Sequence, residues 1–215
     1  MRTTLPSGRP VELVRPADAA VRGVVLVPDI FGLRPVVDDL ATRLALDHGW
    51  AVCAVEPFPG NEHVQPPERL ALIGANDDEV ILPELASAAD VLETERTAVL
   101  GFCQGGMWAF KAAGTGRFDR AVAFYGMVSI PWAREGHNQP TEFLTRPDRC
   151  PVLSIMGGLD KWTPEADVEF LRSLPDVEIA LYPDADHAFA HDPARPTYRQ
   201  DDADDAWSRT VAFLA

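Results

Sequence analysis

Residues 97–110 read TAVLGFCQGGMWAF; they begin as a strand, end as a helix and place a cysteine among glycines at the join. Within them Gly101-Phe102-Cys103-Gln104-Gly105 has the form glycine–x–nucleophile–x–glycine. A sharp strand-to-helix turn lifts its middle side chain out of a sheet, and the flanking positions must be small for helix and strand to approach. The following backbone N–H groups and the positive helix end point at the space above that side chain, where they favour a thiolate and a developing oxyanion. The competing interpretation is a buried structural cysteine in a glycine-rich turn, and the pentapeptide alone leaves both open.

On either side, apolar β-rich runs alternate with helical patterns. VELV (11–14), GVVLVPD (23–29), WAVCAVEPF (50–58), RAVAFYG (120–126), CPVLSIMGG (150–158) and VEIALYP (177–183) are predicted strands. Helices are predicted after Arg34, with Val36, Val37, Leu40, Leu44 and Leu46 near one face and a stop at Gly49, and from about Pro83 to Glu93. Two more are predicted behind Thr163 as N-cap with Pro164 at the first position, and over the final DADDAWSRTVAFLA. Continuous apolar strands alternating with amphipathic helices predict α/β architecture, a mostly parallel sheet covered on both faces. Residues 59–79 form a polar, proline-bearing stretch, and residues 129–149 have no periodicity, so they are expected as a lid over the strand ends or a surface loop.

Two further residues fall at strand ends in a telling order. SIMGGLDKWTP puts Asp160 after one strand, and YPDADHAFAHD puts His187 after the last. The sequence Cys103, Asp160, His187 is the nucleophile–acid–base order of α/β-hydrolases, with each member at a carboxyl end of a strand, where open α/β sheets build their sites. Asp184 and Asp186 are expected to shape the turn of His187. At the early strand end, VLVPDIFGLRP (25–35) places Ile30 where its backbone N–H, with that of Gln104, would form an oxyanion hole, and brings Asp29 near the thiol. A carboxylate there disfavours the thiolate or accepts its proton.

Composition narrows the remaining classes. At 215 residues the whole chain, 1–215, is expected to form a single domain. The net charge of −14 argues against nucleic-acid partners, and no apolar run is long enough to span a bilayer. The first residues lack the apolar core of a signal peptide, which predicts a cytoplasmic protein; no exposed apolar segment is evident, so a monomer is expected. The three cysteines lack the spacing of a disulfide framework or a zinc site, and Cys53 and Cys150 sit in apolar runs as small hydrophobes. His191 follows His187 by four residues, but the proline-punctuated segment does not predict a metal-binding helix, and the acidic run of 201–205 is expected as a solvated helix start. No metal or cofactor is expected.

With these residues identified, the sequence resembles the dienelactone hydrolase family of α/β-hydrolases. The likeness rests on PDIFGL, GFCQGG, AVAFYG, MGGLD, DADHAFA and the ending from Tyr198, and runs from about Val24 to the C-terminus. It implies an α/β-hydrolase fold, a Cys103–Asp160–His187 triad and hydrolysis of a small ester or lactone through an acyl-thioester. It also implies an acid at Asp29, usually glutamate in the family, that holds the resting thiol and takes its proton. Family members acting on dienelactone clamp the substrate carboxylate with two arginines. One follows the histidine by four residues, where this chain has His191; the other falls in the 59–79 stretch, where Arg69 is nearest. Arg34 or a protonated His191 is the expected replacement, with Phe31 and Tyr125 as further substrate contacts. An esterase or thioesterase for a different, uncharged acyl substrate is the alternative enzyme, and a ligand-binding or thiol redox-sensing module the alternative class.

Overall fold

The computed structural model describes residues 1–64 and 66–215. Eight strands, β1 (Arg2–Thr4), β2 (Pro10–Val14), β3 (Arg22–Val27), β4 (Trp50–Val55), β5 (Thr97–Phe102), β6 (Arg120–Phe124), β7 (Val152–Gly157) and β8 (Val177–Tyr182), form one sheet in the order β1-β2-β4-β3-β5-β6-β7-β8. The pairs β1–β2 and β2–β4 are antiparallel, and from β4 to β8 every pair is parallel. The chain runs from β3 outward to β4 and then returns to β5 on the other side of β3. That reversal opens a crevice between the carboxyl ends of β3 and β5, where such sheets bind ligands.

Alternation along each strand supplies two cores. On β5, Ala98, Leu100 and Phe102 join one cluster with α1 (Pro35–His48) and α7 (Gln200–Leu214). Val99 points the other way, into the cluster with α3 (Asp78–Asp90), α4 (Gln104–Ala113) and α6 (Glu165–Arg172). A buried leucine or valine on either face contributes about 1.5–3 kcal/mol, so both layers are needed to hold the central strands. On α1 the buried face is Val37, Leu40, Ala41, Leu44 and Ala45. Leu46 is 74% exposed, because it lies two residues, over half a turn, beyond Leu44.

Several boundaries differ from the sequence expectation. Helix α3 begins at Asp78, with Pro83 inside it. Its start is fixed from outside, by a bond from Asp78 N–H to the Gly136 carbonyl (2.7 Å) and by the buried pair Lys111 Nζ–Asp78 Oδ1 (2.6 Å). Helix α6 opens one residue late: Pro164 is the N-cap, and the Thr163 hydroxyl turns back to the Asp160 carbonyl. Within the 59–79 stretch, α2 (Pro66–Leu72) and a 3₁₀ turn (Ile73–Ala75) appear where no element was foreseen, and Gln65 lies outside the described residues.

Residues 129–149 contain α5 (Pro140–Leu144), and the part before that helix is an anchored wall. The Gln139 amide clasps both the N–H and the carbonyl of Ile130 (2.8 Å each), and Asp167 accepts from the Ser129 hydroxyl (2.7 Å) and N–H (3.2 Å). Asn138 N–H donates to Asp78 Oδ2 (2.7 Å), His137 bonds the Asn76 carbonyl, and Trp132 Nε1–H donates to His137 Nε2 (3.1 Å). The segment is thereby stitched to residues 74–78 along its length.

Candidate active site

Cys103 sits between β5 and α4 with φ 56° and ψ −115°, a strained conformation for a residue with a Cβ. The chain holds it because helix and sheet are pressed together there: a Cβ on Gly105 would stand 1.9 Å from the Val27 carbonyl oxygen, and one on Gly101 2.0 Å from that of Gly105. Cys103 N–H donates to the Phe124 carbonyl (3.0 Å), tying the turn to the end of β6. Two other left-handed backbones border the site, Tyr125 after β6 (φ 41°) and Ala188 after His187 (φ 64°). Strain gathers where side chains must leave the sheet at fixed angles.

His187 and Asp160 meet this thiol from the ends of β8 and β7. His187 Nδ1 lies 2.7 Å from Asp160 Oδ2, and the imidazole and the Cys103 side chain line the same cavity. Asp160 is buried, and its other oxygen accepts from Trp162 N–H (2.9 Å), which sets the carboxylate plane. Asp186 Oδ1 accepts from His187 N–H (2.7 Å), the turn-shaping role expected of it. Burial pulls the imidazole pKa down, but the hydrogen bond and charge of Asp160, with the nearby Cys103, outweigh it and raise His187 to about 10. Cys53 and Cys150 are placed differently, as core side chains whose thiols burial pushes up to about 12.

The early loop supplies the opposite side. Asp29 Oδ1 accepts from Phe31 N–H (3.1 Å), closing an Asx-type turn, and Gly32 takes φ 66° with its Cα against the buried Glu56 carboxylate. Glu56 accepts from Leu33 N–H (2.9 Å) and Phe58 N–H (3.1 Å). Arg69, expected near substrate, is buried away from the cavity: its guanidinium donates to the carbonyls of Ile30 (2.9 Å), Asn61 (3.0 Å) and Val64 (2.8 Å). It therefore fixes the carbonyl of the residue whose N–H is the oxyanion-hole candidate. Ile30 N–H has no protein acceptor among the described residues.

Asp29 itself lies in a dense charge cluster. Arg34 grips it with two bonds (2.7 and 3.1 Å), Arg195 donates to it (2.8 Å), and His191 Nε2 lies 3.0 Å away. Burial would raise its pKa, but the His191 hydrogen bond and the Arg34 guanidinium hold it below the usual carboxylate range. His191 is not a protonated clamp. Burial lowers its pKa despite Asp29, and Tyr125, whose hydroxyl burial and the Asp29 charge keep protonated, bonds its Nδ1. The neutral ring therefore accepts from Tyr125 and donates to Asp29. Arg195 and Glu56 were missed by sequence reasoning; the only hint of Arg195 was a cation eight residues after His187.

A cavity of about 180 Å³ opens between these groups, lined by Cys103, His187, Asp29 and Arg195 and by apolar walls that include Ile30, Phe31, Met127, Trp132 and Trp162. His187 and His191 face different partners, and among the described residues no group of three or more His, Cys, Asp or Glu is arranged to hold a metal ion.

Residues 10–215 match the dienelactone hydrolase family. A protein of Escherichia coli O157:H7, provisionally named a carboxymethylenebutenolidase, is 32% identical over 99% of this chain and 85% of its own length. A Bradyrhizobium protein, provisionally named a 2-oxo-3-(5-oxofuran-2-ylidene)propanoate lactonase, is 28% identical over 89% of this chain and 82% of its own. A Klebsiella pneumoniae crystal structure, described provisionally as a dienelactone hydrolase, superposes with a TM-score of 0.88 at 29% identity, covering 100% of this chain and 97% of that one. A dienelactone hydrolase-like promiscuous phosphotriesterase from metagenomic libraries shares the fold, with a TM-score of 0.75 at 21% identity. With its eight-stranded α/β-hydrolase sheet and these relatives, the chain belongs to the dienelactone hydrolase family and is a hydrolase of the ester- and lactone-cleaving kind.

Proposed function

We propose that this hydrolase works through Cys103 as nucleophile, with His187 as acid–base, Asp160 as its orienting carboxylate, and an acyl-thioester intermediate. The observation that carries the reading is that Cys103 and His187 line the same cavity, with His187 hydrogen-bonded behind it to the buried Asp160. His187 takes the thiol proton as the sulfur attacks, because both oxygens of Asp29 already accept from other groups. This assigns Asp29 to holding Arg34, Arg195 and the oxyanion loop rather than to taking the thiol proton.

The sulfur attacks the carbonyl carbon, and the oxyanion is received by the N–H groups of Ile30 and Gln104, each contributing about 3 kcal/mol in comparable sites. The C–O bond breaks, and the leaving oxygen takes the proton from His187. Having given up that proton, the imidazole is neutral and able to act as base. Water attacks the thioester, His187 takes its proton, and the thiolate leaves with the acid released.

The test is hydrolysis of p-nitrophenyl acetate by wild type and Cys103→Ala, with mass spectrometry of the rapidly quenched enzyme. A 42-Da acetyl adduct on the Cys103 peptide and a loss of at least ~10³-fold in the variant are expected. Undiminished turnover by a folded Cys103→Ala protein would refute the assignment.

A further inference from the structure

The charge cluster beside the thiol bears on what the site accepts. Arg34 and Arg195 are the cations there, each part-exposed, with Phe31 packed under both guanidinium carbons at 5.3 and 4.9 Å. Neither is unopposed. Asp29 binds both directly, and Asp192 lies 3.7 Å from Arg34 Nη2 and 3.8 Å from Arg195 Nε. Two guanidiniums thus face two carboxylates, while His191 and Tyr125 complete the cluster as neutral groups. A substrate carboxylate entering here would meet no net positive charge. The donors that Phe31, Arg34, His191 and Arg195 give to Asp29, whose carboxylate is 3% exposed, are already taken. Apart from Cys103 and His187, the rest of the cavity is apolar: Phe31, Met127, Trp132 and Trp162 offer rings and a thioether but no cation. Its volume of about 180 Å³ exceeds the ~150 Å³ of an apolar protein cavity that takes benzene, so it has room for one ring or a short chain.

We propose that this site selects uncharged, apolar esters the size of one ring or a short acyl chain, and that Asp192 is a specificity-determining residue that cancels the arginine pair and excludes anionic substrates. The inference rests on the proposed Cys103 chemistry. It replaces the carboxylate clamp implied by the sequence resemblance with a neutralised pair. Asp192 acts through Arg34 and Arg195 and touches no reacting atom. Its removal therefore changes selection by charge rather than the chemical step.

Two readouts test it, one of them independent of turnover. In the first, Cys103 is alkylated with neutral iodoacetamide and with iodoacetate, and the modified peptide is quantified by mass spectrometry. Against glutathione as the reference thiol, wild type should prefer iodoacetamide more strongly. Asp192→Asn should shift the ratio toward iodoacetate roughly fivefold, the worth of one unit charge about 4 Å away in a water-like dielectric. Asp192→Glu should restore it. In the second, p-nitrophenyl pentanoate is compared with mono-p-nitrophenyl glutarate, which has the same chain length but ends in a carboxylate. Wild type should favour the pentanoate at least tenfold in kcat/KM, mainly through KM, and Asp192→Asn should narrow the gap. Equal or better hydrolysis of the glutarate by wild type, or an alkylation ratio that Asp192→Asn leaves unmoved, would overturn the inference. Absence of ester turnover and of any acyl adduct would instead refute the Cys103 chemistry, and the alkylation ratios would still decide the charge selection.

Discussion

The two sides of the cavity are held by opposite means. On one, residues 29–34 and 191–195 are knit by charge, with Asp29, Arg34, Arg195 and Asp192 interlocked at the rim. On the other, residues 129–139 are held chiefly through backbone groups and neutral rings, and Trp132 reaches the cavity from a hydrogen bond to His137. One ion pair, Lys111–Asp78, is buried beneath the wall, and another, Arg134–Asp77, lies at its exposed edge. The charged side fixes the loop that carries Ile30; the neutral side supplies shape. Damage to the first should therefore appear in the chemical step, and damage to the second in stability and substrate fit.

The largest break is at the foundation of the neutral wall. Lys111→Met leaves the Asp78 carboxylate buried with only the Asn138 N–H as donor, and should cost about 3–5 kcal/mol in chemical denaturation. A cost below 1 kcal/mol would mean the wall does not depend on that pair. Arg69→Met releases the Ile30 carbonyl, so the oxyanion loop can tilt. Steady-state kinetics should show kcat lower by about tenfold to a hundredfold with KM little changed. Trp132→Ala should do the reverse, raising KM for an apolar ester about fivefold to tenfold, the worth of part of one ring's burial, with a smaller change in kcat. If both variants altered the same kinetic constant, the division between the two sides would fail.

The smallest effect is on the pH dependence of stability, and its sign differs between the sites. His187 has its pKa raised to about 10, so its contribution is complete below its unfolded value of about 6.5 and fades as pH rises toward 10. His137 has its pKa lowered by burial, so its contribution is present above about 6.5 and is lost as pH falls through its folded value. Urea titrations should accordingly show the stability gap between wild type and Asp160→Asn narrowing from pH 6 to pH 10. The gap between wild type and His137→Gln should narrow from pH 7 toward pH 5. A gap that moved in the opposite direction would reverse the assignment for that histidine.

Most of the strand pattern was legible because the apolar runs are strong local signals: β2, β3, β6, β7 and β8 fall within two residues of the sequence expectation, while β4 stops three residues early. The three residues of β1 carry no such signal; they form a strand only because β2 offers an edge. The start of α3 was misplaced for a similar reason, since Pro83 reads as a helix opening while the true start is held by Gly136 and Lys111, 58 and 33 residues away in sequence. At the site, Cys103, Asp160 and His187 were legible from their order after strands. Arg69 and His191 were named, but as substrate contacts, because a sequence shows that a cation or imidazole is available and not what occupies it.

What the sequence determined by itself was therefore the local grammar: a strand–Gly-x-Cys-x-Gly–helix elbow, alternating layers, and an acid and a base after later strands. Backbone geometry within a few residues imposes those features. What the tertiary structure decided was the state of each polar group, that Asp29 is shared by two arginines and a neutral imidazole, that Arg69 grips a carbonyl, and that residues 129–139 form a fixed wall. Those outcomes depend on burial and on partners many residues away, since whether a side chain is charged, neutral or engaged is set by the desolvation and hydrogen bonds it meets only after the chain has folded.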